Sequence, residues 1–188
     1  MFYILKVNTF GEFHRTDRII NPIKITPKFI YMKEYVQVYN NARIEGVSKY
    51  NEILYCPKII FKRSVTIQQN LHLTCANSIV VGENTAIAAN VTITDIHHPY
   101  LDVNIPIERQ DLKVGFVEIG DDCKIYNNAV ILQNTRLGKH VTVGANSVVS
   151  GVFPDYCVIV GAPAKIVRRY DFTMSKWRKT NSEGDFVD

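Results

Sequence analysis

Apolar residues in this chain return at every sixth position. Ile119, Ile125, Ile131, Leu137, Val143 and Val149 do so without a miss, and four residues after each of the first five stands a small or β-branched residue: Cys123, Ala129, Thr135, Val141 and Ser147. A period of six suits neither a helix, whose apolar stripe repeats near 3.6, nor a strand alternating at 2. It suits a solenoid in which one short strand and one turn make each step, an aliphatic side chain points inward at each strand, and stacked coils bury a continuous core.

The same register extends upstream. Met32, Val38 and Ile44 carry it first, with Val36, Ala42 and Ser48 at the companion offset; residues 50–54 break it, and Tyr55, Phe61, Ile67 and Leu73 resume it. A second slip falls at residues 76–80, after which Val81, Ile87 and Ile93 continue. Residues 94–116 have no period at all, although excellent repeat flanks them on both sides. An interruption of that length inside a compact fold is usually functional or disordered, and its residues lean toward function. After Val149, Pro154, Gly161 and Pro163 mark turns that end the stack. The expected organisation is one domain over residues 1–188: an all-β repeat body over residues 23–169 with the inserted loop 94–116, a leading segment 1–22, and a short tail 170–188 that forms a brief helix or stays loose.

Composition narrows the function. The chain has 188 residues, enough for one packed domain, and a net charge of +4, too mild and too dispersed for a nucleic-acid surface. No stretch is long and apolar enough to span a bilayer. The start, MFYILKVNTFGEFHR, carries neither a basic leader nor a small-residue cleavage site. Cys56, Cys75, Cys123 and Cys157 form no Cys-x-x-Cys pair, and Cys123 falls on an inward repeat position, so no metal site is expected and a buried, reduced thiol in the cytoplasm is.

Three features stand together in one order: the six-residue repeat, an interrupting loop containing His98-Pro99, and the closing segment VGAPAKIVRR. On these residues, from about Met32 to Arg169, the chain resembles the hexapeptide-repeat acyltransferases, in the branch of galactoside, maltose and nodulation-factor O-acetyltransferases. The resemblance implies a left-handed parallel β-helix of triangular section, against the usual right-handed crossover. It also implies a homotrimer with active sites between neighbouring subunits, and acetyl-CoA as acyl donor.

Acyl transfer from a thioester to a hydroxyl needs a base beside the alcohol, and imidazole titrates in the right range. Of the five histidines, the resemblance selects His98 as the base, with His97 its neighbour and rival. Asp95 either orients a histidine or only closes a turn. Asn70, in QQNLHL, matches an acceptor-contacting asparagine and is equally suited to a repeat turn; the acidic pair that such relatives carry shortly after it is replaced here by CANSIV. The expected acceptor-side residues are thus Asn70, Asp95 and His97. For coenzyme A, the resemblance points to the backbone at Asn127 and Ala145, and to Lys165 and Arg168 at the 3′-phosphate. The expected activity is O-acetylation of a sugar or surface-glycan intermediate. Two alternatives stay open: N-acetylation of a nucleotide-linked amino sugar, which needs the same deprotonation, and a non-catalytic β-helix holding zinc through converging histidines.

Overall fold

The computed structural model describes residues 9–187. Very short strands wind into a left-handed, three-sided parallel β-helix. The first face stacks residues 30–32, 58–61, 78–81, 116–119, 135–137 and 152–153; the second includes 37–38, 66–67, 86–87, 124–125 and 142–143; the third includes 43–46, 72–75, 92–94, 130–131 and 148–149. Each hexad spends about two residues as strand, one outward and one inward, and then turns a corner. Parallel register therefore sets like on like: Ile87 lies between Ile67 and Ile125, and Ile93 between Leu73 and Ile131. All of these are fully buried. Cys75, Cys123 and Cys157 join the same core as free thiols, and burial pushes Cys123 up to about 11.

The corner between the second and third faces repeats Asn41, Asn70, Asn90, Asn128 and Asn146, all with φ between 57° and 62°. Asparagine enters this left-handed region more readily than other non-glycine residues. Their side chains form a ladder in which each amide donates to the oxygen of the next, at 3.2, 2.8, 3.1 and 3.0 Å. Asn70 stands in this ladder as a repeat-turn asparagine: its Oδ1 accepts from Asn41 and its Nδ2 donates to Asn90.

Both chain ends differ from expectation. The β-helix begins before residue 23: Glu12 bridges to Tyr31, Arg18–Ile19 pairs with Gln37–Val38, and Lys24–Ile25 pairs with Arg43–Ile44, which makes a first coil from a stretch too aromatic and polar to show the repeat. Among the described residues beyond the last coil there is a β-hairpin and no helix. Ala164–Asp171 folds back antiparallel on Cys157–Gly161 and pairs in turn with Lys176–Lys179, extending the second face. Arg178 bonds to Asp171 at 2.9 Å and, together with the Met174 and Thr173 amides, holds that carboxyl below its usual range.

There are two insertions rather than one, and both leave the corner between the third and first faces. The register break at residues 50–54 is a β-hairpin, Lys49–Tyr50 against Ile53–Leu54. The longer insertion opens with Ile96–His97 paired antiparallel to Lys113–Val114. The two dock together. The Tyr50 hydroxyl donates to the Glu108 carbonyl at 2.7 Å with the Glu108 carboxylate at 3.0 Å, the Asn51 amide donates to the Arg109 carbonyl, and the Tyr55 hydroxyl donates to the Leu112 carbonyl.

In the coil between the insertions, the chain crosses this corner directly at residues 76–78, and Asp95 from the next coil closes it. Asp95 is fully buried and accepts the N–H groups of Ala76, Asn77 and Ser78 at 2.8 Å each, while the Cys75 thiol donates to it at 3.3 Å. Burial, and then the Asp95 charge, drives the Cys75 thiol far above its ordinary range. Of the two readings of Asp95, the turn holds. It bonds to no histidine and reaches no acceptor, because it faces the interior.

Asp95→Ala leaves three amides without their acceptor; the expected loss is about 3 kcal/mol or more in denaturant unfolding, with Asp95→Asn in between. Tyr50→Phe keeps the ring but removes the bond to Glu108. Amide exchange across residues 95–115 should quicken while global stability falls by no more than about 1.5 kcal/mol.

Candidate active site

The hairpin and the long insertion overhang the third face and enclose a cavity of about 400 Å³. Strand alternation makes its floor. Ile44, Leu73 and Ile93 point into the core, so the residues on either side of each point out. Register then stacks Arg43, His72 and Thr92 in one row and Glu45, Thr74 and Thr94 in a second. Tyr50, Ile96, His98 and Leu112, from the two insertions, complete the walls.

Charges on this floor are interlocked. Arg43 Nε donates to Glu45 at 2.9 Å, with a second contact from Nη2, and Lys24 lies 2.5 Å from the other carboxylate oxygen. Burial opposes ionisation of Glu45, but Lys24 and Arg43 outweigh it and hold the carboxyl below the usual range. Burial, aided by the Arg43 charge, lowers the pKa of His72 below its ordinary value. This ring is therefore neutral at neutral pH and can both donate and accept. The Thr74 and Thr94 hydroxyls share a hydrogen bond at 2.9 Å, and Thr94 Oγ1 also accepts the Ile96 N–H at 3.1 Å.

His98 lines this cavity. Its ring stands edge-on to Tyr50, centroids 5.4 Å apart and planes at 79°, and its Nδ1 is buried with no hydrogen-bond partner among the described residues. His97 does not share the cavity. It is paired with Lys113, and its ring packs against Tyr100 at 6.0 Å. Neighbours in an extended segment project to opposite sides, so His98 faces this cavity and His97 does not. Among the described residues no three His, Cys, Asp or Glu side chains converge as a metal site.

The expected donor residues climb a different edge. Asn127 and Ala145 are exposed on the corner between the second and third faces, one coil apart, and no hydrogen bond between described residues engages either amide N–H. Above them the chain turns from Gly161 to Ala164 through a cis Ala162–Pro163 peptide, and Lys165 pairs with Val160 just past that turn. Arg168, paired with Val158, lies farther back on the second face; both cations are exposed. Within one chain, this column and the His98 insertion thus occupy the two opposite edges of the third face.

Sequence reasoning missed Arg43, Thr74, Thr92 and Tyr50, and weighed His72 only as a metal ligand. A signal existed for the floor, since each flanks an inward aliphatic residue of the repeat. The roof had none, because only folding brings residues 49–55 and 95–112 together.

The profile of the family described as "Bacterial transferase hexapeptide (six repeats)" matches residues 116–151. WbbJ of Escherichia coli (strain K12), assigned to lipopolysaccharide biosynthesis as an O-acetyl transferase, is 36% identical over 64% of this chain and 65% of its own, so the chain spans a little under two thirds of that relative. Two solved structures share the fold. A hexapeptide-repeat acetyltransferase of Vibrio cholerae in complex with acetyl coenzyme A has a TM-score of 0.60 at 20% identity, covering 88% of this chain and 74% of that one. A galactoside acetyltransferase in complex with coenzyme A has a TM-score of 0.58 at 18% identity, covering 92% and 73%. Residues 116–151 thus match the bacterial transferase hexapeptide model, and the chain as a whole is similar in fold to hexapeptide-repeat acetyltransferases.

Proposed function

We propose that this protein is an acetyl-CoA-dependent O-acetyltransferase that acylates a hydroxyl of a sugar or glycan intermediate in the cytoplasm, with His98 as general base. The observation that carries the reading is the position of His98. Of the two loop histidines, it alone lines this cavity, whose floor offers hydroxyl and imidazole groups suited to a polyol. The O-acetyl transferase assignment of WbbJ supports oxygen over nitrogen as the acceptor atom.

In this mechanism His98 takes the proton as the acceptor oxygen bonds to the thioester carbonyl carbon. When the tetrahedral intermediate collapses and the carbon–sulfur bond breaks, the same imidazole returns the proton to the departing thiolate. Tyr50 packs the ring, and Thr74, Thr94 and His72 orient the acceptor. The Asn127 and Ala145 amides suit the amide-rich arm of coenzyme A, and Lys165 and Arg168 suit its 3′-phosphate. Because that column and His98 lie on opposite edges of the third face, a complete site is best built by a homotrimer in which one subunit presents its imidazole to the donor edge of the next.

His98→Ala should lower turnover by about 10² to 10⁴ with the acetyl-CoA KM little changed, read as thiol release against a panel of methyl glycosides; undiminished turnover refutes the assignment. Lys165→Ala and Arg168→Ala should each raise the KM for acetyl-CoA about fivefold or more, from a lost charge-assisted bond of roughly 1–3 kcal/mol. With 3′-dephospho-acetyl-CoA as donor the same variants should match the parent protein. An equal defect with both donors would remove these residues from the phosphate.

A further inference from the structure

The cavity has a charge character that hydroxyl recognition does not require. Arg43 is the one permanently charged side chain lining it. Its Nε and Nη2 are engaged by Glu45, but a guanidinium presents five N–H donors, and Nη1 is left over. Glu45 does not neutralise the locus. It is shared with Lys24, so the trio of Lys24, Arg43 and Glu45 sums to +1, and neither Lys24 nor Glu45 lines the cavity. The remaining floor consists of His72, which burial keeps neutral, and threonine hydroxyls. No carboxylate lines the cavity, which is the group commonly used to grip neutral sugar hydroxyls. The surroundings exclude water on one side, so a fixed cation acts on a bound ligand more strongly than it would in bulk solvent.

From this arrangement we propose that the cavity selects an acidic sugar: the acceptor carries a carboxylate or phosphate that Arg43 binds beside His72, while the hydroxyl to be acetylated faces His98. The proposal rests on the acyltransferase reading for the second half of that statement and on the cavity alone for the first. A neutral sugar filling the same space would offer Arg43 only hydroxyl oxygens, weaker partners than a carboxylate or phosphate that pairs with the guanidinium charge. The volume of about 400 Å³ is at the small end of the roughly 300–1,000 Å³ typical of ligand pockets, which fits one or two sugar rings rather than a polymer segment.

The test is calorimetric binding to the full chain, with coenzyme A present, of three kinds of probe: methyl glucuronides and galacturonides, hexose 1-phosphates, and the matching neutral methyl glycosides. One anionic class should bind about tenfold or more tighter than its neutral counterpart, and which class does so tells carboxylate from phosphate. Arg43→Gln should abolish that preference, bringing the Lys24, Glu45 and residue 43 trio to net zero; Arg43→Lys should recover part of it. Matched melting temperatures exclude misfolding as the cause, and should Arg43→Gln melt early, Arg43→Lys alone reports the contact geometry. Equal binding of charged and neutral probes, no binding of either anionic class, or a preference that survives Arg43→Gln overturns the proposal. If Arg43-dependent binding is seen but the bound probe is not acetylated from acetyl-CoA, the subsite stands and the acyltransferase reading fails.

Discussion

The contact of one aliphatic side chain with its equivalent in the next coil organises this molecule. Each inward residue must meet another of similar volume directly above and below, as Ile67, Ile87, Ile125 and Val143 do along the second face. Burial of each is worth roughly 1.5–3 kcal/mol, and close packing leaves little latitude in size. Parallel strands alone cannot hold such a column in line. The corners must also repeat, and the asparagines at φ near 60°, with their side-chain amides joined in a ladder, keep one edge in step from coil to coil.

A prism packed in this way has no room inside for chemistry. The interior takes aliphatic residues and free thiols, so polar function is displaced to outward positions and to whatever leaves the corners. Both insertions exploit one corner, where Asp95 closes the intervening coil by gathering three backbone amides beneath its buried carboxylate. That anchoring holds the start of the longer insertion at a fixed height, and the hairpin carrying Tyr50 braces it from two coils below. A side chain on a mobile loop would be poorly aimed; here the His98 imidazole rests on a ring whose hydroxyl is itself tied to the loop.

Opposite edges of the third face have different characters. One presents unengaged backbone amides, leading up to two exposed cations on the terminal hairpin; the other presents an imidazole above a floor carrying one net positive charge. In the proposed reaction the amide-rich, phosphate-bearing cofactor and the small polar acceptor would make contrasting demands, and these two edges differ in the same sense.

The repeat was legible in the residues themselves because its cause is local. Ile119 through Val149 returns at fixed spacing, since each strand and corner consumes the same number of residues, and the interior takes apolar side chains at one phase of that period. His98 was singled out by the family resemblance, within the loop that interrupts the repeat. The first coil at Glu12, the antiparallel hairpin after Ala164 and the hairpin at Tyr50 escaped notice, because their pairing partners are supplied by coils already built and impose no period of their own. Asn70 and Asp95 were ambiguous for the same reason: an amide at a turn and a carboxylate in a loop look alike in sequence whether they face solvent or backbone. Which face each side chain sees, and that Arg43, His72 and Thr94 from three successive coils stand together under His98, followed only from the stacking, which brings residues twenty or more positions apart into adjacent rows.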